Sequence, residues 1–227
     1  MTAVLRLVIF DVDGTLIDSQ AHILAAMARA FDGVGLPVPD RETVLGVVGL
    51  SLPVLVDHLA PTTEAATKTR IIEGYKQGFA DLRVEGEAAM SPLYPGARAA
   101  LDGLSARDDT LLAVATGKSR RGMAHVIEMH GLEGMFQSVQ TADDHPSKPS
   151  PEMVRACLDD TGVATRDAAI LGDTAFDMEM GRNAGIHPIG VSWGYHDRKR
   201  LYQAGAADLL EDFSAVMPCL DRIWGLE

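Results

Sequence analysis

Four short apolar runs, each stopped by a polar or glycine-containing turn, constrain the fold of this chain more than any other feature. Leu5–Phe10 (LRLVIF) ends at an aspartate, Leu111–Ala115 (LLAVA) at Thr116-Gly117 and Ala168–Leu171 (AAIL) at Gly172-Asp173, with His187–Val191 (HPIGV) as the last of the set. Ala97–Ala106, Ser119–His130, Ser150–Asp160 and Thr174–Ala184 fill the gaps with apolar residues at helical spacing. Short uninterrupted apolar runs suit strands covered on both faces. Strand, turn and helix repeated in this way build a parallel sheet. The expected fold class is therefore α/β, with a Rossmann-like parallel sheet as its core. The polar turns follow the carboxyl ends of strands, the edge where open α/β sheets bind ligands.

One interval breaks the alternation. From Asp18 to about Tyr94 no strand pattern occurs, and a single crossover helix needs far fewer residues. Ile23, Leu24, Met27 and Phe31 share one helical face that stops at Gly33 and Gly35. Asp40 is placed to cap a second helix, Ser51 a third and Thr63 a longer fourth, in which Ile72, Tyr75, Phe79 and Leu82 recur. Tyr94-Pro95-Gly96 then turns the chain back. The expected organisation is an α/β core from residues 1–17 and 92–227, with an inserted all-helical domain over 18–91.

Composition narrows the function classes. With 20 Lys and Arg against 32 Asp and Glu the formal charge is −12, which argues against binding to a nucleic-acid backbone. At 47% hydrophobic residues there is ample material for a core, and disorder is not expected. No run approaches the roughly 20 apolar residues of a membrane span, and the first apolar run lacks a cleavage site for secretion. Cys157 and Cys219 lie in helical patterns without metal-ligand spacing. Both read as buried, reduced thiols of a cytoplasmic protein.

The chemistry gathers at the turns. Asp11-Val12-Asp13-Gly14-Thr15-Leu16 follows the first strand directly. One carboxylate of that pair can attack an electrophile while the other transfers protons, and Gly14 lets backbone approach a ligand closely. The bland alternative is an Asp-Gly turn followed by a Thr helix cap. Thr116-Gly117-Lys118 opens a helix and offers a hydroxyl and amides to an anion, or is a plain N-cap. Lys148 sits among prolines in Ser147-Lys148-Pro149-Ser150-Pro151, as a presented ammonium or as a solvated surface group. Asp173 and Asp177 in Gly172-Asp173-Thr174-Ala175-Phe176-Asp177 can face one way if a helix starts near Thr174. The bland reading there is a capping Asp with an exposed companion. Taken together, Asp11, Asp13, Asp173 and Asp177 converge near Thr116 and Lys148. Four acids around one pocket repel one another unless a cation or protons intervene. Oxygen-only ligation suits Mg²⁺, and no His/Cys cluster proposes zinc.

The ordered set DVDGTL, ATGKS, SKPSP and GDTAFD resembles the haloacid dehalogenase superfamily, over nearly the whole chain. Its phosphoglycolate phosphatase-like group is the most similar, and Val191–Tyr195 (VSWGY) and Ala204–Asp208 (AGAAD) look like that group as well. Ser147 departs from the Gly that many relatives carry before the Lys. The resemblance implies a phosphoric monoester hydrolase acting on a small phosphorylated metabolite, with phosphoglycolate first among candidates, and makes the helical insertion a mobile cap. It implies Asp11 as nucleophile through an aspartyl-phosphate intermediate and Asp13 as acid and base. Gly14, Thr15, Thr116, Gly117 and Lys148 would bind the phosphoryl group. Asp11, Asp13 (through its backbone carbonyl) and Asp173 would hold Mg²⁺, with Asp177 completing or supporting the metal set. A small-molecule ester is the implied partner of a monomer or homodimer, with neither nucleic acid nor membrane.

Other activities on this scaffold have their own signatures. Family dehalogenases lack the second Asp of the pair, and Asp13 is present. Phosphonate-cleaving relatives need an early cap Lys, and Ser19–Val38 contains none. A β-phosphoglucomutase-like mutase carries a cap His about ten residues beyond the second Asp. His22 lies nine beyond Asp13, an offset that turns a helical side chain by about 100°. A non-catalytic phosphate-binding module is the remaining alternative, since fold does not fix function. Specificity is expected from the cap loop Gly46–Ser51 (GVVGLS), where Ser51 is a candidate contact. Arg120 and Arg121 read as solvated helix charges.

Overall fold

Alternate residues of the first strand, β1 (Arg6–Phe10), point to opposite sides of a sheet. In the computed structural model, which describes residues 4–84 and 91–226, this strand is central. Its neighbours are β2 (Thr110–Thr116), β3 (Ser138–Thr141), β4 (Ala168–Gly172), β5 (His187–Val191) and β6 (Asp208–Leu210). All pairings are parallel, in the order β3-β2-β1-β4-β5-β6. The fold is thus the expected α/β parallel sheet. On one face Val8, Phe10, Val114 and Leu171 pack against α5 (Ala97–Ser105) and α10 (Val216–Trp224). On the other, Leu7, Ile9, Ala113 and Ile170 meet Met153 and Cys157 of α7 (Glu152–Thr161) and Met180 of α8 (Ala175–Ala184).

Two edge strands, β3 and β6, extend the sheet beyond the sequence pattern. Each pairs on one side only, and half or more of its residues are only partly buried. An edge strand with one neighbour has no need of a continuous apolar run, so SVQT and DLL carry no strong signal. Two helices also lacked one, the short α9 (Arg198–Ala204) and α10. Cys157 and Cys219 are buried and unpaired, as expected. Among the described residues no helix is long and apolar enough to cross a membrane.

The interval between β1 and α5 is helical. It contains α1 (Gln20–Asp32), α2 (Arg41–Leu45), α3 (Leu52–Leu59) and α4 (Ala65–Val84). Ile23, Met27 and Phe31 of α1 pack with Ile71 of α4 and Val56 of α3 in a cluster of their own. Asp40 caps α2 as expected, accepting from the Thr43 amide at 2.8 Å. Ser51 precedes α3, but its side chain makes no capping bond. α4 starts at Ala65, two residues after the expected Thr63. The two connections to the sheet run side by side: Asp18 N–H donates to Pro92 O at 2.8 Å and Tyr94 N–H to Leu16 O at 2.9 Å. Residues 85–90 of the interval expected to be inserted lie outside the described residues.

Between β1 and β4 the chain changes direction across the sheet, since β2 and β3 lie on one side of β1 and β4 to β6 on the other. A crevice opens at the carboxyl ends of strands at such a switch point. The candidate residues stand there.

Candidate active site

Register brings the acids together. Phe10 pairs with Leu171, and the Asp11 N–H donates to Leu171 O at 2.9 Å, so Asp11 emerges beside the end of β4. Asp173 follows β4 directly. Gly14, at φ +82°, passes over it so closely that a Cβ would overlap the Asp173 carboxylate. Only glycine combines that backbone conformation with that clearance. Asp173 is fixed by two donors, the Thr15 hydroxyl at 3.0 Å and the Tyr195 N–H at 2.8 Å. Asp177 belongs to a capping box at the start of α8. Its Oδ2 accepts from the Thr174 hydroxyl at 2.6 Å and from the Thr174 N–H at 3.0 Å. Its other oxygen accepts from Lys148 Nζ at 2.7 Å.

Lys148 Nζ also lies 2.7 Å from Asp11 Oδ1, and both side chains are out of contact with water. That contact is an ion pair, and Asp11 Oδ2 has no hydrogen-bond donor. Burial raises the Asp11 carboxyl above the usual range against the pull of Lys148, with Asp177 adding to the rise. Burial raises Asp173 likewise, followed by the charges of Asp11 and Asp177. Burial pulls Lys148 down, but the two carboxylates outweigh it and hold the ammonium firmly protonated.

One oxygen or more from each of Asp11, Asp173 and Asp177 lies within 4.8 Å of the others. Three carboxylates share one ammonium in a site buried from water. The donors are all oxygen, and Asp11 Oδ2 lacks a hydrogen-bond donor. This set fits a small, hard divalent cation such as Mg²⁺. Asp173 accepts one hydrogen bond on each oxygen, whereas Asp177 accepts three in all, from Lys148 and twice from Thr174. Asp177 therefore combines the two sequence readings. It caps α8, and it also stands in the acid cluster, buried rather than exposed.

Asp13 is set apart from this cluster by its own cation. Lys118 Nζ reaches Asp13 Oδ1 at 2.7 Å and Oδ2 at 2.9 Å, and the Ser19 hydroxyl donates to Oδ1 as well. Ser19 also meets the Tyr195 hydroxyl at 3.0 Å. The same ammonium lies 5.3 Å from the Phe79 ring centroid on α4.

Gly14 and Thr15, two of the candidates for phosphate binding, use their polar groups within the turn here. The Gly14 N–H is spent on Ile17 O at 2.9 Å and the Thr15 N–H on Val12 O at 3.2 Å, while the Thr15 hydroxyl goes to Asp173. In this arrangement the two residues shape the turn and hold Asp173. Thr116 and Gly117 do lie at the end of β2, ahead of α6 (Arg120–His130), whose first turn is capped by Ser119. Arg120 is exposed and paired with Asp144, as expected of a surface charge.

The helical insertion covers this edge through its Gly46–Ser51 loop. A Cβ on Gly117 would come within 2.5 Å of Gly49 O and 2.8 Å of Leu50 O. The Ser51 N–H donates to the Ser147 hydroxyl at 2.8 Å, next to Lys148. His196 joins the two halves: its Nδ1 accepts from the Ala175 N–H at 2.9 Å, and its Nε2 donates to Gly46 O at 3.1 Å. Burial, with Arg200 adding to it, pushes His196 down to about 4, which keeps the ring neutral for this paired use. Phe176 and Tyr195 pack against the insertion's own apolar cluster.

Lys118, Ser19, Tyr195 and His196 are the residues that sequence reasoning missed. Lys118 stands in the turn after β2, but only the fold gives it Asp13 as a partner. His196 had no local signal.

The family model for haloacid dehalogenase-like hydrolases matches residues 8–191. The chain belongs to that family. Among its relatives, a protein named probable phosphatase IndB from Dickeya dadantii (strain 3937) is 33% identical over 93% of this chain and 91% of the relative. A phosphoglycolate phosphatase from Pseudomonas putida (strain KT2440) is 27% identical over 97% of this chain and 82% of its own length. The crystal structure of a hydrolase from Pseudomonas syringae superposes with a TM-score of 0.84 over 96% of this chain and 99% of that one, at 24% identity. That likeness shows the fold. Within the haloacid dehalogenase-like hydrolases, the chain resembles the phosphoglycolate phosphatase-like group.

Proposed function

We propose that the protein is a Mg²⁺-dependent phosphatase that hydrolyses a phosphomonoester through an aspartyl-phosphate intermediate. The observation that carries this reading is Asp11: a buried carboxylate whose Oδ1 is paired with Lys148, whose Oδ2 has no hydrogen-bond donor, and which stands beside two further acids. An Asp with free lone pairs is equipped to attack phosphorus. The names of the relatives point to the same chemistry.

In this reading Asp11 displaces the leaving oxygen from phosphorus, the P–O bond breaks, and Asp13 supplies the proton that makes the free alcohol. Water then attacks the acyl phosphate, Asp13 takes its proton, and inorganic phosphate leaves Asp11 as a carboxylate again. The Thr116 hydroxyl, the Gly117 N–H and Lys148 hold the transferring group, with Lys148 offsetting its charge. Asp11, Asp173 and the Asp13 carbonyl are the proposed metal ligands, supported by Asp177. The metal, when bound, neutralises charge on phosphoryl oxygens and on the acids. The rest is positioning and charge stabilisation, the main demands of phosphoryl transfer.

The mutase reading finds no support at His22. Its Nε2 meets Phe79 O at 3.1 Å, its Nδ1 faces Ser91 at 3.4 Å, and its ring stacks on Phe79 with centroids 3.7 Å apart. The ring is thereby packed between helices of the insertion. A purely phosphate-binding module would have no use for both Asp11 and Asp13.

The deciding experiment is phosphate release from a panel of phosphomonoesters with Mg²⁺ and with EDTA. Release is expected only with the metal, and Asp11→Asn is expected to abolish it along with the acid-stable phosphorylated protein. Turnover at a normal rate by Asp11→Asn would overturn the assignment.

A further inference from the structure

The turn after β5 wraps the acids, and no step of the proposed reaction uses it. Trp193 Nε1 donates to Thr15 O at 3.0 Å, in the turn that carries Asp13. Gly194 lies so close to Asp173 that a Cβ there would come within 2.2 Å of the Asp173 Cβ. Tyr195 then bonds through both of its ends. Its N–H donates to Asp173 Oδ2 at 2.8 Å, and its hydroxyl lies 3.0 Å from the Ser19 hydroxyl oxygen. The Ser19 hydroxyl in turn donates to Asp13 Oδ1. An ionised carboxylate only accepts, so the hydrogens of this chain run from Tyr195 to Ser19 to Asp13. Ser19 is fully buried, and the Tyr195 ring packs against the insertion's apolar cluster.

We infer that Tyr195 is a positioning residue for Asp13, acting through Ser19, and that it holds this carboxyl in place relative to Asp173. In the phosphatase reading above, on which this rests, proton transfer needs Asp13 within hydrogen-bond reach of the leaving oxygen. Lys118 holds both oxygens of Asp13, but as a point charge on a flexible stem. The Ser19 bond to a single oxygen adds direction. Tyr195 fixes the Ser19 hydroxyl, which otherwise rotates to suit any neighbour. An ammonium only donates, which suits Asp13 as the base. A hydroxyl both donates and accepts, so the same chain run in reverse also holds Asp13 as the acid. Helix capping does not account for Ser19. It stands at the N-cap of α1, yet its side chain makes no capping bond.

The test is kcat/KM with Mg²⁺ for Tyr195→Phe, Ser19→Ala and the double variant. One probe is p-nitrophenyl phosphate, whose leaving group departs without a proton. The others are 2-phosphoglycolate, glycerol 3-phosphate and a ribonucleoside 5′-monophosphate, whose alkoxides need one. Tyr195→Phe removes a single oxygen and keeps the N–H on Asp173. It is expected to lower kcat/KM at least fivefold for the fastest alkyl ester and less than twofold for p-nitrophenyl phosphate. Ser19→Ala is expected to cost the alkyl ester at least tenfold. The double variant is expected to match Ser19→Ala within twofold, because Tyr195 acts only through Ser19. Equal losses on both kinds of ester, or losses that multiply in the double variant, overturn the inference and leave the phosphatase reading standing. So does loss of the Mg²⁺-induced rise in Tm in Tyr195→Phe, which would place the effect at Asp173. If the wild type does not hydrolyse p-nitrophenyl phosphate, the double variant decides. Absence of Mg²⁺-dependent phosphate release from every ester defeats the phosphatase reading and this inference with it.

Discussion

The Lys118 ammonium lies 2.7 and 2.9 Å from the two oxygens of Asp13, and Phe79 of α4 lies against its other side. This one pair ties the turn after β1, the turn after β2 and the helical insertion together. Both side chains are about nine-tenths buried. Removing one partner of such a pair strands the other charge. Lys118→Met is expected to lower stability by about 3–5 kcal/mol and to cut kcat/KM at least tenfold. Chemical denaturation and steady-state kinetics check both. A variant of unchanged stability would show that Asp13 does not depend on Lys118.

The acid cluster predicts a stability response to metal. At a concentration 100 times its Kd, Mg²⁺ adds about 2.7 kcal/mol. For a chain of this size that is a rise in Tm of roughly 5–10 °C. Asp173→Asn removes one of the mutually repelling carboxylates. It is expected to raise the metal-free Tm at pH 8 and to erase the Mg²⁺ response. Thermal scans with Mg²⁺ and with EDTA decide, and a full Mg²⁺ shift in the variant would exclude Asp173 as a ligand.

Closure over the site depends on contacts made at single atoms. Gly117→Ala puts a methyl group against Gly49 O and Leu50 O, and His196→Ala leaves the Ala175 N–H without its acceptor and Gly46 O with Arg200 as donor. Each change is expected to cost about 1–3 kcal/mol and to speed amide exchange in residues 46–51. Exchange confined to its wild-type rate would show that the loop is held elsewhere.

Gly14→Ala tests the turn itself. The backbone conformation there is one that side chains rarely adopt, and the added carbon would displace the Asp173 carboxylate. Activity is expected to fall at least a hundredfold. The same variant should lose the Mg²⁺-induced rise in Tm, which separates a displaced Asp173 from general loosening.

The buried thiols predict chemical silence. Burial pushes the Cys157 thiol up to about 12, and burial raises Cys219 as well. The thiolate is the reactive form, so neither is expected to react with a thiol reagent at pH 8 until the protein is denatured. Stoichiometric labelling of the native protein would contradict this.

What the sequence determined by itself is local. The apolar runs and the Gly- and Asp-containing turns that stop them place β1, β2, β4 and β5 and the helices that follow the first three. Periodicity and capping act over a few residues, so strand, helix and turn are written in adjacent positions. Because parallel strands align their carboxyl ends, the acids after β1 and β4 and the Thr116 turn were legible as one group.

The tertiary structure alone decided which group serves which. Thr15 was expected at phosphate, yet its hydroxyl holds Asp173, 158 positions away in sequence. Lys118 meets Asp13 across 105 positions, and His196 meets Gly46 across 150. The edge strands β3 and β6 are likewise set by neighbours, because half-exposed residues gain their pairing only when β2 and β5 are in place. Hydrogen bonds and ion pairs between distant positions leave no periodic mark in the chain. They depend on register, on which strand ends lie side by side, and on where the insertion comes to rest.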